Sequence, residues 1–106
     1  MSIYQLDNIK SKELIPGFFG KMIHTKSMTF AYWDIEEGAE VPRHNHHHEQ
    51  LLILLEGQME FYLNDNKIII EPGMVIDIGS HEYHSGKALK KSVIIDIFNP
   101  VREEYK

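Results

Sequence analysis

The chain has 106 residues, a formal net charge of −5 with histidines neutral, and no cysteine. That length implies one domain, and 42% hydrophobic content is ordinary for a globular chain in water. The basic residues are scattered, with Lys90-Lys91 the only adjacent pair, so no nucleic-acid partner is expected. No apolar run approaches the roughly 20 residues of a membrane helix, and Met1 to Gln5 shows no signal-peptide pattern. With neither disulfides nor thiolate metal sites possible, the composition fits a cytoplasmic protein.

Residues 1–20, with Pro16-Gly17, read as an N-terminal arm, residues 21–98 as a barrel and residues 99–106 as a C-terminal tail. Thr29 to Ile35 is aromatic-rich and strand-like, and Glu36-Glu37-Gly38 turns it. Leu51 to Leu55 is apolar on both faces, as expected of a central strand, and Glu56-Gly57 breaks it. Met59, Phe61 and Leu63 alternate with Glu60 and Tyr62, the pattern of a half-buried strand. Asn64-Asp65-Asn66 turns the chain, Lys67 to Ile70 returns, and Glu71-Pro72-Gly73 turns it again. Met74 to Ile78 and Lys91 to Phe98 are two more strands. Short strands punctuated this regularly predict an all-β sandwich or barrel, and no segment sustains a helical period. Gly38, Gly57 and Gly73 fall at strand reversals, where tight turns often need φ > 0.

The segment Val41-Pro42-Arg43-His44-Asn45-His46-His47-His48-Glu49-Gln50 runs into the Leu51 strand. Alternate residues of a strand face one side, so His44, His46 and Gln50 share a parity and would converge if they lined one strand face. Imidazole nitrogens and an amide oxygen suit a divalent transition metal, and His84, arriving from a neighbouring strand, would complete the set. His47 has the wrong parity and is expected to face outward. His48 has the right parity but would crowd the ligands, which suits contact with a ligand residue or a substrate. A histidine cluster can also be a purification tag or a solvated, weakly metal-binding loop. The internal position and the distant His84 speak against both.

The spacing Gly38, His44, His46, Gln50, Gly57 resembles the first motif of the cupin superfamily, with Gln50 where glutamate is usual. Gly73 and His84 match the second motif, in which Gly79, His81 and Ala88 replace its proline, second glycine and asparagine. The resemblance implies a double-stranded β-helix, a jelly-roll barrel with one divalent metal per chain inside, held by His44, His46, Gln50 and His84. Mn, Fe, Co, Ni and Zn all suit such ligands.

A narrower resemblance is to the pectin-degradation cupins, in the His-x-His-x-His-Glu-Gln run, the Leu-Glu-Gly strand end and the tail Asp96-Ile97-Phe98-Asn99-Pro100-Val101-Arg102-Glu103. Those enzymes convert 4,5-unsaturated uronates into open-chain 5-keto-4-deoxyuronate. The resemblance carries active-site roles onto Asp96, Phe98 and Arg102. Read on their own, Asp96 is costly to bury unless paired or functional, Phe98 is simplest as a core aromatic, and Arg102 can fork onto a carboxylate or be a solvated tail residue. Three neutral histidines and a neutral amide leave the metal charge uncompensated, which favours a small anionic sugar as ligand.

A metal-dependent lyase or isomerase acting on such a sugar is the first expectation. An Fe(II)-dependent dioxygenase and a non-catalytic metal- or sugar-binding cupin are the alternatives, because fold alone does not give function. The apolar faces of the Phe30 to Ile35 and Val93 to Phe98 strands, on a domain with a modest core, predict a homodimer.

Overall fold

The computed structural model describes residues 1–106. Ten strands, β1 (Lys12–Ile15), β2 (Phe18–His24), β3 (Thr29–Ile35), β4 (Glu40–His44), β5 (Glu49–Glu56), β6 (Met59–Leu63), β7 (Asn66–Ile70), β8 (Val75–Ile78), β9 (His84–Ala88) and β10 (Ser92–Asn99), are joined by short turns. Single 3-10 turns lie at Leu6–Asn8 and Glu103–Tyr105. The strands form two antiparallel sheets, one ordered β1-β2-β3-β10-β5-β8 and the other β4-β9-β6-β7. This is the all-β architecture that the strand pattern predicts, in the jelly-roll form that the cupin resemblance implies.

The pleat explains how the sheets pack. Along β3, Thr29, Ala31, Trp33 and Ile35 are buried while the residues between them are half-exposed. Along β10, Ile94, Asp96 and Phe98 point inward in the same way. Ala31, Trp33, Ile35, Ile94 and Phe98 meet Leu52 and Leu54 of β5, and Met59, Phe61 and Ala88 from the smaller sheet, in one continuous core. Each large apolar side chain buried there contributes about 1.5–3 kcal/mol. Phe18 and Trp33 pack edge to face with ring centroids 6.0 Å apart. The outer face of β5 differs: Leu51 and Leu55 are 40% and 43% exposed, so its second apolar face has no cover within the chain.

Register aligns the functional side chains. Asp96 lies opposite Ala31 on one side and Leu52 on the other. Gln50 and Trp33 are therefore its diagonal neighbours on the inner face, within reach of long side chains. In the smaller sheet His84 lies opposite His44.

The structure departs from the sequence reading at the N-terminus and in the histidine segment, and it adds the strands β4 and β9. The segment read as an arm carries β1 and the start of β2, which pair with each other and extend the large sheet. Pro16-Gly17 is their turn, with Gly17 at φ 80°. The histidine segment is also not one strand face. His44 ends β4 in the small sheet, Gln50 lies on β5 in the large one, and His46 sits in the crossover between them.

Candidate metal centre

The crossover brings the histidines together better than a single strand could. One ring nitrogen from each of His44, His46 and His84 lies within 4.8 Å of the other two. The crossover loop is pinned to the turn between β8 and β9: the His81 amide donates to the His46 carbonyl at 2.8 Å, and the Ser80 hydroxyl to the His47 carbonyl at 2.7 Å. His81 adopts φ 64° there, the left-handed backbone that a glycine would take more easily. The turn survives the loss of the glycine seen in the cupin motif.

Each of the three rings is oriented in the same way. The Nδ1 atoms of His44, His46 and His84 lie 2.9, 3.0 and 2.9 Å from the carbonyls of Pro42, His48 and Glu82. A carbonyl oxygen only accepts, so each Nδ1 carries a proton, and in the neutral ring that leaves the lone pair on Nε2. Such outer bonds fix ring and tautomer at metal sites. Burial, then the charges of Arg102 and His84, lower the pKa of His46 to about 4. Burial likewise lowers that of His84. His46 and His84 are thereby held neutral near pH 7, the form that ligates.

Gln50 adds a further constraint. Its Nε2 donates to Asp96 Oδ1 at 2.8 Å, which turns its Oε1 toward His46 Nε2 at 3.1 Å. With the His46 proton on Nδ1, that short approach sets two lone pairs face to face. A cation between them relieves the repulsion, so the donor set fits a divalent metal.

Asp96 is buried. It accepts from Gln50 and, at 3.1 Å, from Trp33 Nε1. Burial nevertheless raises its pKa to about 7, against the downward pull of those two bonds and of Arg102. It lines a cavity of about 250 Å³ together with His44, Gln50, His84 and Arg102.

The tail is held rather than frayed. The Arg102 amide donates to the Thr29 hydroxyl oxygen at 2.8 Å, and that hydroxyl meets His24 Nδ1 at 2.9 Å. The Arg102 guanidinium lies over two rings, 4.6 Å from the centre of Phe98 and 4.4 Å from that of Tyr105. Its Nε and Nη2 donate to Glu104 at 3.0 and 3.4 Å. His47 is exposed, and His48 is buried with its Nδ1 unpartnered. Two further residues join the site: Trp33, whose place on the inner face of β3 follows from alternation, and Glu104, whose role no periodicity signals.

A family model described as "Cupin domain" matches residues 31–98. KdgF from Halomonas sp. superposes with a TM-score of 0.94 at 26% identity, covering 100% of this chain and 99% of that one. An RmlC-like cupin from Shewanella frigidimarina gives 0.95 at 19%, covering 100% and 96%. Ectoine synthase from P. lautus gives 0.85 at 19%, covering 96% and 80%. No curated protein matches the sequence.

The raised Asp96 pKa has a measurable sign. A native state that holds the proton more tightly than the unfolded chain gains stability as pH falls from about 7 toward the ordinary value of 3.8. The lowered histidines act oppositely, because the unfolded chain protonates first. Asp96→Asn removes only the first contribution. In metal-free protein its melting temperature should fall faster than that of wild type between pH 7 and pH 4, by at least about 5 °C over the window. Parallel curves from calorimetry would show that Asp96 is not a buried carboxyl of raised pKa.

Proposed function

The chain belongs to the cupin family and resembles its KdgF members, and we propose that it is a metal-dependent enzyme converting a 4,5-unsaturated uronate to open-chain 5-keto-4-deoxyuronate. The observation that carries this reading is the enclosed Asp96, which lines one cavity with two of the clustered histidines and with a buried arginine. His44, His46 and His84 would hold the metal, with Gln50 Oε1 as fourth ligand. When bound, a divalent ion there supplies Lewis acidity that draws charge from substrate oxygens.

The reaction rearranges atoms without gain or loss. The C1 to ring-oxygen bond breaks, C1 becomes an aldehyde, C5 becomes an enol, and one proton passes from the C1 hydroxyl to C4 as the C5 ketone forms. Asp96 suits both halves of that transfer. A carboxyl whose pKa is raised to about 7 takes and returns a proton near neutrality. Gln50 and Trp33 occupy both carboxylate oxygens and hold the group in one orientation. Arg102 pairs with the substrate carboxylate. Phe98 supports it by stacking under the guanidinium and, with Trp33, Leu52, Phe61 and Ile94, lines the cavity with apolar surface that excludes water. A cavity near 250 Å³ is smaller than the roughly 300–1,000 Å³ of sites for drug-sized ligands, so a monosaccharide suits it better than an oligomer.

The outer face of the large sheet supports a homodimer. Ile23, Phe30, Ile97 and Leu51 lie in one cross-strand row, and Tyr32, Ile95, Ile53 and Val75 in the next. A contiguous apolar surface of this kind marks an association site. Light scattering at micromolar concentration should report about twice the 12.4 kDa chain mass, and a value near one chain mass would refute the pairing.

The activity test is the loss of the conjugated-enol absorbance of 4,5-unsaturated galacturonate. Metal-loaded protein should accelerate it over buffer, and Asp96→Asn should retain metal while losing turnover about a hundredfold or more. No acceleration by wild type would sink the substrate assignment. An unchanged rate in Asp96→Asn would leave the protein as a catalyst whose proton carrier lies elsewhere.

A further inference from the structure

The fork of Arg102 is already filled. Both oxygens of Glu104 sit on the Nε–Nη2 edge of the guanidinium, at 3.0 and 3.4 Å. An incoming carboxylate would use the same kind of bidentate edge. The two partners are not held alike. The Arg102 side chain is 9% exposed; its backbone is bonded to Thr29, and its guanidinium is stacked on Phe98 and Tyr105. The Glu104 side chain is 54% exposed and belongs to the last 3-10 turn of the chain. Its other polar neighbour is His48 Nε2, 4.0 Å from Oε1. Arg102 is therefore the fixed member and Glu104 the movable one. Both line the cavity that holds Asp96, His44 and His84.

We propose that Glu104 is a resident carboxylate that occupies the Arg102 fork in the empty site and yields it to the carboxylate of an incoming small acid. The inference rests on the reading of Arg102 as the substrate anchor. On binding, Glu104 turns toward water and toward His48, whose Nε2 already faces it. The resident carboxylate makes the site selective. A neutral sugar cannot replace the charge on the guanidinium and leaves the internal pair closed, whereas an acid exchanges one carboxylate for another. It also keeps a buried guanidinium neutralised when no ligand is present, which an unpaired buried charge would require at high cost.

The test is calorimetric binding of D-galacturonate, a saturated acid lacking the reactive double bond, to metal-loaded wild type, Glu104→Gln and Arg102→Ala, with D-galactose as the uncharged control. Glu104 is 54% exposed, so water weakens its hold on the buried guanidinium, and freeing the fork should tighten galacturonate binding by about two- to fivefold in Glu104→Gln. Galactose binding should not change. Arg102→Ala should weaken galacturonate binding by about tenfold or more. Equal or weaker galacturonate binding by Glu104→Gln, with binding lost in Arg102→Ala, would overturn the role of Glu104 alone and make it a residue that positions the arginine. Unaltered binding in Arg102→Ala would overturn the anchor itself, and the role of Glu104 with it.

Discussion

Gln50 cannot be placed without placing Asp96 and His46 with it. Its amide nitrogen is committed to the Asp96 carboxylate, which leaves its oxygen facing the His46 nitrogen that carries no proton. A glutamate in its place, as the cupin motif usually has, would put a second carboxylate against Asp96 in a buried setting, and one of the two would have to protonate. The amide removes that conflict. It lets a buried aspartate stand beside a set of metal-ligating groups, satisfies one of its oxygens and adds no charge to the set. The uncharged side chains of the cluster and the buried carboxyl are thus one arrangement, and a divalent ion held there would keep its full charge, as the proposed anionic substrate requires.

The two sheets supply the parts of this arrangement separately. The small sheet carries His44 and His84 as a cross-strand pair, and the large sheet carries Gln50 and Asp96 one diagonal step apart. The crossover from β4 to β5 spans the gap and delivers His46 from a loop tied by Ser80 and His81. Packing of the sheets around Trp33, Leu52, Phe61 and Phe98 then sets the distance between ligands and carboxyl. The tail closes the assembly. Thr29 begins β3 on the inner face, so the bond from the Arg102 amide to its hydroxyl places the guanidinium over Phe98 and beside the cavity.

Much of the site was legible from residue types and spacing. The histidines, the turn glycines at 38, 57 and 73 with positive φ, and the inward parity of Asp96 and Phe98 all follow from pleat geometry. The parity rule did not extend to His46, because the chain leaves the strand after His44 and changes sheet before Gln50. The strands β4 and β9 were hidden for a related reason. Glu40 to His44 contains Pro42 and Arg43, and His84 to Ala88 contains Gly86 and Lys87, so neither is rich in the β-branched residues that announce a strand. The early strands β1 and β2 were masked by Pro16-Gly17, which punctuates a hairpin as readily as an arm. Glu104 was invisible because its partner is two residues away along the chain, a pairing set by the local turn and by stacking of Arg102 on two rings.

In the proposed centre three imidazoles, each oriented by a backbone carbonyl, and the Gln50 amide oxygen surround a single divalent ion. X-ray absorption spectroscopy of the nickel-loaded protein counts imidazoles directly, because their rings scatter as units. One nickel per chain with three imidazole ligands is expected, the remaining positions being filled by oxygen donors. Two or fewer imidazoles, or a stoichiometry near zero after soaking in nickel, would contradict it.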